Sequence, residues 1–128
     1  MYSASLIREL VQYFAEAASV SHEINVFTDP DLFERWKRRR GKLTPQEREH
    51  LDKGFAISFF RATTPHEVYI NTPRHVSLAD LTDTVAHEVA HLRWWHLNHG
   101  RTFDRRVIAL LAGYRCGSKS ERLPDSFK

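Results

Sequence analysis

Two histidines and a glutamate with the spacing of a hydrolytic zinc site lie in the run His87-Glu88-Val89-Ala90-His91. Residues four apart share one face of a helix, so both imidazoles could bind the same metal ion. Glu88 is turned by about 100° from His87 and could act as general base towards a water on that ion. Zinc polarises a carbonyl and lowers the pKa of its water towards about 7, so the run predicts hydrolysis of an amide bond.

A catalytic zinc needs a third protein ligand and one open position. His99 is the preferred candidate. On a straight helix it would lie about 12 Å along the axis from His91, so the chain must leave the helix and turn back before it. His96 is the second candidate, although helical geometry rotates it by roughly 140° from His91. Asp104 and His75 are weaker candidates for the same role.

Sequence patterns predict both the start and the buried face of the helix that would carry the histidines. Residues 77–80 form a capping-box-like start. The apolar residues that follow at helical spacing are Leu81, Val85, Val89 and Leu92. A last helix is predicted from about Gly100 to Gly113, and its inward residues are predicted to be Phe103, Val107, Ile108 and Leu111.

The preceding elements would form the scaffold. An amphipathic helix is predicted over residues 3–18, a short strand over 24–28 and a helix beginning at 29–31 with Leu32, Phe33 and Trp36 on its apolar side. Thr44 to Glu47 fits a capping box, with Gly54 as the stop of that helix. Residues 55–60 and 67–71 are typical of two strands in an antiparallel hairpin.

These elements predict an α+β fold with an N-terminal helix, a short antiparallel sheet and two C-terminal helices. We expect one domain over residues 1–116 and a polar tail over 117–128. The single cysteine, Cys116, cannot form an internal disulfide, and there is no signal-peptide pattern. No apolar run approaches the roughly 20 residues that span a bilayer, so a cytoplasmic protein without membrane contact is expected.

The stretch from Val68 to Phe103 resembles the SprT-like zinc metallopeptidases. The matching residues are Ile70-Asn71 on a strand, the run 87–92, and His99-Gly100-Arg101-Thr102-Phe103. The resemblance implies a small zincin-like fold, Zn²⁺ held by His87, His91 and His99, and Glu88 as the catalytic residue. Many members also carry a zinc ribbon, which one cysteine cannot build.

The formal net charge is +3 and the sequence pI is about 9.2, a mild basic excess. A basic cluster could contact phosphates without reading sequence, and its residues are Lys37, Arg38, Arg39, Arg40 and Lys42. The alternative is a solvated charged face. The best-understood proteins of the similar family cleave proteins crosslinked to DNA, so DNA-associated proteins are one expected class of substrate. We expect a monomer with a protein or peptide substrate.

Several supporting roles stay open from the sequence. The strand Glu67 to Asn71 is either the edge that binds substrate or an ordinary hairpin strand. Asp83 either orients the histidines or is solvated. Trp94 and Trp95 are predicted to pack at the helix end in preference to contacting substrate. The candidate donors to a transition-state oxyanion are Tyr69, Arg93, His96, Tyr114 and Arg115.

Three functions are consistent with the sequence. The first is a zinc peptidase, the second is a zinc hydrolase of a non-peptide amide, and the third is a basic nucleic-acid-binding module with structural zinc. The first two share their metal chemistry. Glu88 argues against the third, because a structural site has four ligands and needs no base.

Overall fold

The computed structural model describes residues 2–20, 23–38, 44–47, 49, 54, 56–59, 65–97 and 99–115. Within them the chain forms an α+β fold. The helices are α1 (Ala4–Ala17), α2 (Pro30–Arg38), α3 (Leu78–Arg93) and α4 (Arg101–Leu111), with a 3₁₀ turn at Thr72–Arg74. The strands are β1 (Ile24–Phe27), β2 (Ala56–Phe59) and β3 (His66–Ile70).

The three strands form one mixed sheet in the order β1-β3-β2. β2 pairs antiparallel with β3, which confirms the predicted hairpin partners. β1 pairs parallel with β3, with Ile24 opposite His66, so the prediction of a purely antiparallel sheet is wrong. The reason is that β1 reaches β3 by a long connection through α2, whereas a tight turn would have made that pair antiparallel.

β3 is the central strand, and all five of its residues are buried. Both of its edges are paired, so the suggestion that it offers a free edge to substrate is wrong. β2 lies at the border of the sheet, and no further strand pairs with it among the described residues. This edge strand faces the part of the molecule where the histidines lie.

The sheet carries helices on both faces. α1 and α3 pack on one face, where Ile7, Phe14, Val68 and Val89 belong to the same buried cluster. On the other face Phe33 of α2 stacks on Tyr69, with ring centroids 5.5 Å apart. The sheet and α1 thus hold α3 by burying its apolar stripe, which leaves its polar stripe to form a site.

The buried residues of α2 and α4 were predicted only in part. Phe33 and Phe103 are fully buried as expected, but Leu32, Ile108 and Leu111 are exposed. Ala109 and Leu110 are buried in α4 instead. α4 packs chiefly against α3, so a narrow stripe suffices to cover its contact, and the flanking apolar side chains stay in solvent.

Side-chain caps start the helices where the sequence indicates. Ser77 Oγ accepts a hydrogen bond from the amide of Asp80 at 3.1 Å. Thr44 Oγ1 accepts from the amide of Glu47 at 3.1 Å, and Glu47 Oε1 accepts from the amide of Thr44 at 3.0 Å, which completes the predicted capping box.

Some predictions concern residues outside this description, namely the basic residues Arg39, Arg40 and Lys42, the hairpin turn and the tail 117–128. In the described part of the chain, no helix has both the length and the apolar character to cross a bilayer.

Candidate metal centre

Three imidazoles meet at one point between α3 and α4. His87 and His91 lie one turn apart on α3, and His99 lies in the short connection just before α4. The Nε2 atom of His91 is 3.0 Å from Nε2 of His87 and 2.7 Å from Nε2 of His99. One ring nitrogen from each residue lies within 4.8 Å of the other two, so the three histidines could hold a metal ion.

The chain turns back after α3, as the choice of His99 required. α3 ends at Trp94, whose φ of −113° and ψ of 51° leave the helical region. A turn follows, in which the amide of Leu97 donates to the carbonyl of Trp94 at 3.0 Å. The amide of Asp104 then donates to the carbonyl of Gly100 at 2.9 Å and starts α4. This reversal carries His99 back to His91 and leaves His96 exposed.

Of the other ligand candidates, His96, Asp104 and His75 do not belong to the group of three. His75 is buried elsewhere, with Nδ1 at 2.9 Å from the carbonyl of Asn71 and Nε2 at 2.9 Å from Thr84 Oγ1. The carbonyl can only accept, so Nδ1 carries the proton, and in the neutral ring Nε2 accepts from the threonine hydroxyl.

Phe103 forms a hydrophobic platform under all three imidazoles. Its ring stacks on His91, with centroids 4.4 Å apart and planes inclined by 25°. It meets His87 at 5.0 Å and His99 at 5.4 Å in edge-to-face geometry. Phe103 is itself fully buried, so one immobile side chain restricts the orientation of each candidate ligand.

The surroundings keep two of the histidines neutral. Burial, followed by the charges of the neighbouring His87 and His99, lowers the pKa of His91 to about 4. Burial, followed by the charge of His99, also lowers the pKa of His87, although Asp104 acts in the opposite direction. A neutral imidazole is the form that binds a metal, so these two side chains are ready to act as ligands at pH 7.

The donor set fits a metal of the size of zinc. Two imidazole nitrogens at the usual zinc distance, in tetrahedral geometry, lie about 3.3 Å apart. The observed separations of 3.0 and 2.7 Å are shorter than that value by about 0.3 and 0.6 Å, so the rings must move slightly apart to hold the ion. Zinc, copper, nickel and iron all accept imidazole ligands, so the geometry does not choose among them.

The histidines open onto a cleft of about 680 Å³. Residues 56–58 of β2 form one wall, and α3 forms the other. Glu88 lines this cleft beside the histidines and is only 7% exposed. The predicted general base therefore lines the same cleft as the three histidines and is largely shielded from bulk water.

The two tryptophans after the motif have different environments. Trp94 is buried and lies under the guanidinium of Arg106, whose carbon is 4.9 Å from the ring centroid, so its predicted packing role is confirmed. Trp95 is 57% exposed and lines the cleft, so the same prediction is wrong for it.

The predicted oxyanion donors do not line this cleft. Tyr69 packs against Phe33 on the opposite face of the sheet. The Nε of Arg93 donates to the carbonyl of Ala18 at 2.6 Å and so joins the ends of α1 and α3. None of the other three candidates lines the cleft either, namely His96, Tyr114 and Arg115.

A hydrogen-bonded chain that the sequence did not reveal connects the two walls of the cleft. Asn71 Nδ2 donates to the carbonyl of Gly54 at 2.9 Å, just before β2. The carbonyl of Asn71 accepts from His75, and His75 in turn bonds Thr84 of α3. Gly54 and Thr84 both line the cleft, so this chain restrains the spacing between its walls. No local pattern marks it, because its members are far apart in sequence.

Within the predicted phosphate-binding cluster, the described side chains have partners in the protein. Lys37 is buried, and Arg38 pairs with Glu34 at 2.7 Å on the same helix.

Comparisons with protein-family models, with curated proteins and with solved structures give no match to this chain. The function is therefore inferred from the residues and their geometry.

Proposed function

We propose that this chain is a zinc-dependent metallopeptidase of zincin-like organisation, with His87, His91 and His99 as metal ligands and Glu88 as general base. The observation that carries the proposal is the group of three ring nitrogens within 4.8 Å of one another, opening onto a cleft that also contains a buried glutamate. Three protein ligands with an open side are the arrangement of a catalytic rather than a structural zinc.

Zinc, when bound, would supply Lewis acidity and a water of lowered pKa. The chain's own residues account for the rest of the reaction. Glu88 takes a proton from the attacking water and delivers it to the leaving amine, so that it returns to the carboxylate form. Its burial favours this shuttle, because bulk water competes poorly for the same carboxylate.

The wall formed by β2 supports a peptide substrate over a small amide. Among the described residues β2 borders the sheet, so an extended peptide can align along this strand beside the histidines. A small amide would gain nothing from that alignment. The structural-zinc alternative is less consistent with the site, because the group contains no fourth ligand among the described residues.

Metal analysis of four purified proteins tests the proposal: wild type, His99→Ala, His96→Ala and Glu88→Gln. We expect about one zinc per chain in the wild type, loss of zinc in His99→Ala and retention in the other two. Wild type and His96→Ala should cleave an unfolded protein such as denatured casein, and Glu88→Gln should be inactive while still holding zinc.

Two outcomes would refute this assignment. A wild-type protein that holds no zinc after reconstitution refutes the metal site. Zinc retention with full cleavage activity in Glu88→Gln refutes the role of Glu88 as base.

A further inference from the structure

The two ends of the cleft differ in chemistry. Asp83, His87, His91 and Trp95 follow one another at intervals of four positions, and all four line the cleft. Asp83, His87 and His91 therefore lie along one side of α3, and Trp95 follows just beyond the end of this helix. An exposed carboxylate lies before the histidines, and a largely exposed indole lies after them.

Distances along the helix place these two groups within reach of one substrate. At 1.5 Å per residue, Asp83 lies about 15 Å along the axis of α3 from Arg93, the last residue of the helix, and Trp95 follows two positions later. An extended peptide covers a distance of this order with about five residues at 3.3–3.4 Å each. Asp83 lies about 9 Å along the axis from the midpoint between His87 and His91, which corresponds to two or three peptide residues.

Asp83 is not engaged by the metal centre. It does not belong to the group of three histidines, and no hydrogen bond or ion pair of Asp83 is found within the described part of the chain. The idea that it orients His87 therefore has no support from a contact. A carboxylate on a cleft wall attracts a cationic group, and this attraction weakens with salt because the side chain is exposed.

We propose that Asp83 and Trp95 determine the specificity of the cleft for extended peptides with a basic side chain on one side of the cleaved bond and an aromatic side chain on the other. The inference rests on the proposed peptidase function. Asp83 pairs with the lysine or arginine, and the face of the Trp95 indole packs against the aromatic ring. The two preferences lie on opposite sides of the bond because the histidines separate the two groups.

Binding to the inactive Glu88→Gln protein measures this specificity without requiring turnover. The probes are fluorescein-labelled alanine peptides with lysine and phenylalanine five positions apart, in both chain directions, and the same peptides with glutamine in place of lysine. Asp83→Asn is introduced into the Glu88→Gln protein. Asp80→Asn is the matched control, because Asp80 is an exposed carboxylate on the same helix that does not line the cleft.

We expect the Glu88→Gln protein to prefer lysine over glutamine by about three- to tenfold at low salt, in one chain direction. Asp83→Asn should abolish the preference, Asp80→Asn should keep it, and 1 M salt should remove it. Trp95→Ala should weaken binding of the phenylalanine peptides by about tenfold and leave the lysine preference intact.

The inference and the proposed function can fail separately. A lysine preference that survives Asp83→Asn, or failure to bind any of the peptides, overturns the inference. In the first case, cleavage of casein by the wild-type protein would still support the proposed peptidase function. A library of random peptides digested by wild type gives the second readout, in which basic and aromatic preferences on the same side of the cleaved bond would also overturn it.

Discussion

Replacement of Phe103 by leucine would test whether the platform under the histidines affects metal binding. Phe103 contacts all three imidazoles, and leucine keeps the site apolar but has no flat face. We expect the rings to become free to rotate in the metal-free protein. Zinc must then order them when it binds, so the affinity for zinc should fall.

The structure allows a rough magnitude for this loss. Each ring that must be ordered again costs about 0.5 kcal/mol of conformational entropy, which gives roughly 1.5 kcal/mol for three rings. That is about a tenfold loss in zinc affinity. It lies at the lower end of the 10–100-fold effects known for groups that orient metal ligands. The unfolding free energy of the metal-free protein should also fall by about 1–2 kcal/mol from lost packing.

Phe33→Leu is the matched control. Phe33 is as fully buried as Phe103 and also packs against aromatic rings, those of Phe27 and Tyr69, but it lies on the opposite face of the sheet. Zinc affinity is measured by competition with a chromogenic chelator, and stability by urea denaturation without metal. Both variants should lose stability, and only Phe103→Leu should lose zinc affinity. Equal zinc affinities in the two variants would refute the reasoning.

Two further predictions concern stability. The pKa of His91 is lowered to about 4 from 6.5, so the unfolded chain binds a proton more readily than the folded one between these values. The free energy of unfolding of the metal-free protein should therefore be highest above pH 6.5 and should decrease as the pH falls towards 4. Urea denaturation at several pH values should show a smaller decrease for His91→Asn than for wild type, and an identical decrease would contradict this prediction. Asn71→Ala removes the hydrogen bond to the carbonyl of Gly54 and should cost about 1 kcal/mol. Amide exchange should accelerate in β2 but not in β1, and equal acceleration in both strands would argue against a local role.

The sequence predicted those features that depend on neighbouring residues. Helical periodicity and capping residues located α1 and α3 to within a residue or two, because burial of one stripe and satisfaction of the first amides are local requirements. The same reasoning selected His99 over His96. A straight helix brings neither residue to the candidate metal centre, so the preference for His99 depended on a reversal of the chain, which the structure contains.

The errors came from contacts between distant residues. Nothing in the sequence near β1 shows that it pairs parallel with β3, and this pairing decides that β2 rather than β3 borders the cleft. The series of hydrogen bonds that joins Gly54, Asn71, His75 and Thr84 was missed for the same reason. Trp95 was predicted to pack at the helix end, yet it lines the cleft just beyond the end of α3.

The order of the strands also has a consequence for how the chain folds. β2 and β3 are near neighbours in sequence, so their pairing closes a short loop, and short hairpins form within about 1–10 μs. β1 must find β3 across about 40 residues, which costs more loop-closure entropy and slows the step. Every described residue that lines the cleft lies between Gly54 and His99, on the locally connected side of this division. We therefore expect the hairpin wall of the cleft to gain protection before β1 docks, so that the late step in folding completes the scaffold rather than the site.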